Sequence, residues 1–102
     1  TPQAPQRLAI ALRGFFDANA TPAQREDYGA YLKKRIRPAV AALMEEEDVD
    51  KLDLLERQGW LEDGQLDGLI QLAQARSRTA SLVWLLRLKA ERGQYHDRDF
   101  SL

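Results

Sequence analysis

Apolar residues recur along this chain at the three- and four-residue spacing of one helix face, and almost nowhere in the alternation of a strand. The pattern predicts an all-α protein of about five helices. The first covers residues 5–17, where Leu8, Leu12, Phe15 and Phe16 share a face and Pro5 suits the first turn. The second covers 22–46. Thr21, Pro22 and Gln24 form a capping-box start, and Tyr28, Tyr31, Leu32, Ile36, Val40, Leu43 and Met44 form the stripe. Pro38 lies inside that stripe and should kink or split the helix near Arg37. The third, 48–58, starts at Asp48, turns Val49, Leu52 and Leu55 to one side, and stops at Gly59, where Trp60 is placed to pack back on Leu55. The fourth, 63–76, is capped by Asp63 and carries Leu66, Leu69, Ile70 and Ala73. The fifth, 79–92, runs from a Thr79 cap to Gly93. Its Leu82–Leu86 run is apolar nearly all round, which places it at the centre of a bundle. Residues 93–102 show no helical pattern and read as a tail.

The connections are only a few residues long, so neighbours should pack as stacked antiparallel hairpins. The whole chain, 1–102, reads as one domain, with N-terminal helices (1–46), helix pairs (48–92) and the tail (93–102). One internal echo stands out. Val49-Asp50-Lys51-Leu52-Asp53-Leu54-Leu55 and Ala80-Ser81-Leu82-Val83-Trp84-Leu85-Leu86 share a frame ending in a leucine pair, at an offset of 31 residues. A period in this range marks helical-repeat arrays. Residues 48–92 resemble one and a half ankyrin-type repeats. Leu69-Ile70-Gln71-Leu72-Ala73 stands as an inner helix, Ala80–Leu86 as an outer one, and Leu54-Leu55-Glu56-Arg57-Gln58-Gly59 as the end of the preceding outer helix. The Thr-Pro-Leu-His start of ankyrin repeats is missing. The resemblance implies a binding module. Trp84-Leu85-Leu86, Leu88-Lys89 and the closing His96-Asp97-Arg98-Asp99-Phe100-Ser101-Leu102 also resemble small bacterial proteins, a likeness that implies no activity.

Composition narrows the chemistry. With no cysteine, thiol nucleophiles, zinc knuckles and Fe–S clusters are excluded, and a reducing, cytoplasmic setting is expected. Apolar runs such as Leu82–Leu86 are far below the roughly 20 residues that span a membrane. Thr1-Pro2-Gln3-Ala4-Pro5 offers no basic start before an apolar run, so no signal peptide is expected. The net charge of −1 conceals a strong division: residues 1–44 sum to +4, residues 45–67 to −8 and residues 68–102 to +3.

Few residues suggest catalysis. His96 is the sole histidine, and a facial metal triad needs two. Ser77, Ser81 and Ser101 lack a Gly-x-Ser-x-Gly elbow. No metal, no cofactor and no catalytic residue is therefore expected. The acidic run Glu45, Glu46, Glu47 and Asp48, followed by Asp50 and Asp53, fails the spacing of a calcium loop. Glu45–Glu47 also oppose the dipole at a helix C-terminus, which a partner's basic surface would turn to use. Lys33, Lys34, Arg35 and Arg37 form the basic counterpart, suited either to phosphate or to a solvated face. A helix-turn-helix around Gly59 is rejected, because Glu62, Asp63 and Asp67 would meet phosphate. The expected function is a non-enzymatic module binding a protein partner through a surface of helix ends and the inner faces of the C-terminal pairs, with Trp60, Arg76, Arg78, Tyr95 and Phe100 as contacts, and with Tyr95 and Phe100 alternatively capping the last helix pair. The alternative is nucleic-acid binding through the Lys33–Arg37 cluster.

Overall fold

A computed structural model describes residues 3–100, with side chains described for residues 4–93. It contains α1 (Gln3–Phe15), α2 (Pro22–Lys34), α3 (Ile36–Glu46), α4 (Val49–Glu56), a 3₁₀ turn (Asp63–Gln65), α5 (Leu66–Ala75) and α6 (Thr79–Phe100). Among the described residues there is no strand, so the all-α class is shown, and no helix is long and apolar enough to cross a membrane. Six α-helices replace the expected five because the helix expected over 22–46 is divided. The residues group into two compact units, Thr1–Ala39 and Val40–Leu102.

The division has a local cause. A proline ring clashes with the carbonyl four residues before it, so Pro38 disallows helix through Lys34. α2 ends there, Arg35 leaves helical geometry (φ −127°, ψ 38°), and Pro38 falls in the first turn of α3, where no N–H is needed. The break lies two residues before the expected position. The apolar stripe continues across it: Leu32, Ile36, Ala39, Val40, Leu43 and Met44 are all buried.

In the first unit, α1 and α2 form a hairpin. Gln24 N–H donates to Thr21 Oγ1 at 3.1 Å and Thr21 N–H to Gln24 Oε1 at 3.0 Å, so the expected capping box is present. Ala11, Leu12, Gly29 and Leu32 are buried, and Phe15 meets Phe16 edge-on at 5.2 Å. Gly14 faces the Tyr28 ring so closely that a Cβ there would overlap it. This contact carried no sequence signal.

In the second unit, Leu52, Leu55, Leu61, Leu66, Leu69, Ala73, Trp84, Leu85 and Leu88 are buried around α4–α6. Gly59, at φ +80°, ends the turn after α4 as expected. Three expectations are corrected. Gly93 does not stop α6, which runs to Phe100. Only Gly59 among the described glycines takes positive φ, and a helical glycine costs about 1 kcal/mol without ending the helix. Residues 93–100 are thus helical rather than a tail. Secondly, α6 is not a central, all-round-buried helix: Ser81, Trp84, Leu85 and Leu88 are buried, while Val83 and Leu86 are each 48% exposed. Thirdly, Asp63 does not cap the fourth helix; it opens the 3₁₀ turn, and α5 begins at Leu66.

Candidate functional site

The acidic run and the arginines singled out in the sequence meet within the second unit. α3 ends in a Schellman arrangement: Glu47 N–H bonds to Met44 O, Asp48 N–H bonds to Leu43 O, and Glu47 takes the left-handed conformation (φ 54°). α5 ends the same way. Ser77 N–H bonds to Gln74 O, Arg78 N–H to Ala73 O, and Ser77 also has φ 54°. Neither is glycine, so each position carries about 1–2 kcal/mol of conformational cost.

These two strained turns set up a charged junction. Arg76 grips Glu45 with two bonds, Nε to Oε2 at 3.1 Å and Nη2 to Oε1 at 2.5 Å, and Arg78 Nη2 reaches the same Oε1 at 2.5 Å. The Glu47 carboxylate accepts from Ala80 N–H at 2.6 Å and Ser81 N–H at 3.2 Å, satisfying the start of α6. The cap of α6 is therefore Glu47, from 33 residues upstream, and not Thr79, which is the first helical residue. Ser81 Oγ, fully buried, donates to Met44 O at 2.7 Å. Asp48 caps α4, with Lys51 N–H donating to Oδ1 at 3.2 Å. Of Glu45, Glu46, Glu47 and Asp48 only Glu46 is exposed, as are Asp50 and Asp53 further on. The basic surface that Glu45 calls for is thus the chain's own.

Hydrogen bonds from Arg76 and then Arg78 hold the Glu45 carboxyl below its ordinary 4.5, at about 2, and the same contacts push both guanidinium groups up. A carboxyl depressed in the folded state adds stability above its unfolded value and loses it as pH falls through the folded one. Wild type and Glu45→Gln should therefore differ in urea midpoint at neutral pH, and the gap should close as pH falls from 4.5 toward 2. A gap unchanged over that interval would show that Glu45 acts by packing alone.

Further along α6 the charges continue to pair. Asp67 meets Lys89 at 2.7 Å, and Arg92 meets Asp63 at 2.7 Å and Glu56 at 3.3 Å. The negative segment 45–67 is thereby joined to the positive segment 76–92. Trp84 Nε1–H donates to Asp53 Oδ1 at 2.7 Å. Both Asp53–Trp84 and Glu56–Arg92 link α4 to α6 in the same direction, so these helices lie side by side and parallel. Between them runs a groove of about 230 Å³ lined by Val49, Asp53, Glu56, Trp84, Arg87, Leu88 and Glu91.

The remaining candidates are scattered. Lys33, Lys34, Arg35 and Arg37 are exposed around the α2–α3 break and pair with no carboxylate among the described residues; the Arg35 guanidinium lies 4.0 Å from the Tyr31 ring centroid. Trp60 is half-buried after Gly59. The side chains of Tyr95, His96 and Phe100 lie outside the described residues. Among the described residues no group of three or more His, Asp or Glu is placed to hold a metal ion. Sequence reading missed Asp53 and Glu47 as tertiary partners, although the 31-residue offset of the internal echo aligns Asp53 with Trp84. Comparison with family models, curated proteins and solved structures returns no match.

Proposed function

We propose that the chain is a non-enzymatic helical module that binds another protein through the outer faces of α4 and α6. The observation that carries this reading is the exposure of Val83 and Leu86, stacked three apart on α6, with Leu54 on the neighbouring α4 45% exposed. The opposite faces of these helices carry the buried Leu52, Leu55, Ser81 and Leu85, so we read the exposed leucines and valine as a second apolar surface rather than a poorly seated core. Arg76 and Arg78, engaged by Glu45, belong to the framework that positions this surface more than to the contact itself.

The ankyrin-type reading supports the same conclusion. α5 and α6 form a hairpin after α4, and the two helices related by the sequence echo lie in parallel, as outer helices of successive repeats do. The cysteine-free composition suits a cytoplasmic setting. Replacing Val83 and Leu86 together by Asp tests the proposal, since both positions are exposed enough to spare the fold. Chemical crosslinking in a lysate of the encoding organism should recover a discrete protein with wild type and lose it with V83D/L86D. Recovery of nothing by wild type, or equal recovery by both, would refute the assignment.

A second reading, polyanion binding by Lys33, Lys34, Arg35 and Arg37, is favoured by their exposure and by the lack of an ion pair to any of them among the described residues. Lys33 and Lys34 also sit in the last turn of α2, where cations stabilise the helix dipole without any ligand.

A further inference from the structure

We propose that the groove between α4 and α6 receives a cationic side chain, lysine or arginine, from the protein partner. This rests on the reading of the chain as an interaction module and names the chemistry of the contact. At about 230 Å³ the groove is smaller than the roughly 300–1,000 Å³ typical of small-molecule sites. It is of a size for one long side chain rather than a cofactor.

Its lining has two chemical parts. Val49, Leu88 and Trp84 supply apolar surface, which suits the methylene stem of a lysine or arginine. Asp53, Glu56 and Glu91 supply carboxylates against a single cation, Arg87. Structural duties leave part of that acidity open. Asp53 uses Oδ1 for Trp84, Glu56 uses Oε2 for Arg92, and Glu91 has no ion pair among the described residues. Ionised carboxylates only accept hydrogen bonds, whereas ammonium and guanidinium groups only donate them. The Trp84 indole N–H is already satisfied by Asp53 and asks for no acceptor from the ligand. An incoming carboxylate or phosphate would find one donor side chain, Arg87, against the carboxylates of Asp53 and Glu91, with Glu56 already paired to Arg92. Apolar stem and donor head together identify the occupant as a basic residue on the partner's surface.

The two tryptophans allow a direct test, because Trp84 lines the groove and Trp60 does not. A short peptide alternating alanine and arginine is titrated into ¹⁵N-labelled full-length chain at low salt, following both indole resonances. The Trp84 resonance should shift to saturation while that of Trp60 stays still. Glu91→Arg should weaken binding at least about tenfold, and Arg87→Glu should tighten it about fivefold. A still Trp84 resonance, an equal shift with an alanine–glutamate peptide, or unchanged affinity in Glu91→Arg would overturn the proposal. So would a dimer that forms without peptide and is broken by Glu91→Arg, since a second copy would then fill the groove. The wider interaction reading survives any of these if the V83D/L86D comparison still identifies a partner.

Discussion

Leu85→Ala is expected to cost about 2–5 kcal/mol, whereas Leu86→Ala, one residue on, should change stability by no more than about 0.5 kcal/mol. The two residues are adjacent members of one leucine pair, so composition and propensity cannot separate them. Packing does. Leu85 is fully buried on the face of α6 that carries Ser81, Trp84 and Leu88, and truncation there leaves a cavity that the surrounding helices fill only in part. Leu86 faces outward, in the surface assigned to a partner. Domains of this size have about 5–15 kcal/mol in total, so Leu85→Ala approaches the limit of folding. Urea unfolding followed by tryptophan fluorescence measures both. Comparable losses would mean that α6 is buried all round and that no surface is available on it.

Glu47→Lys is the second large effect, at about 2 kcal/mol of destabilisation. Two costs act together, and nothing offsets them. Ala80 and Ser81 lose their acceptor, a change worth about 0.5–2 kcal/mol at a helix start. A cation then replaces an anion at the positive end of α6, adding a few tenths to 1 kcal/mol. The left-handed strain at residue 47 remains, since lysine relieves none of it. Ser77→Gly is the matched contrast. Ser77 has the same φ of 54° and its side chain is exposed, so glycine should stabilise the chain by up to about 1 kcal/mol. Opposite signs at two equally strained positions would show that Glu47 is retained for its carboxylate. A neutral Glu47→Lys would remove the junction as a source of order in α6.

These contrasts also mark where sequence reading succeeds. Local rules placed the Thr21–Gln24 box, the Asp48 cap, the Gly59 stop and the interruption caused by Pro38, because each depends on residues within one turn. The same rules failed where the partner is remote. Thr79 was the natural local cap for α6, but Glu47 had been brought there by the left-handed turn after α3. That turn has no glycine to announce it, and neither does the turn at Ser77. Gly93 was a plausible stop, yet a glycine ends a helix only where the chain needs positive φ. The charge division was legible as composition, and its pairing within 45–92 became visible only once the hairpins set Glu45 beside Arg76 and Glu56 beside Arg92. The groove had no signature of its own, as its lining comes from two helices separated by α5.

The surface of α6 and the cationic cluster at the α2–α3 break make different demands, and one measurement separates them. A photo-reactive benzoylphenylalanine is placed at Val83 in one chain and at Lys34 in another, and each is irradiated in the encoding organism's cells. Binding through the C-terminal helices predicts a discrete, protease-sensitive adduct from position 83 and none from position 34. A nuclease-sensitive adduct from position 34, with nothing from position 83, would contradict it.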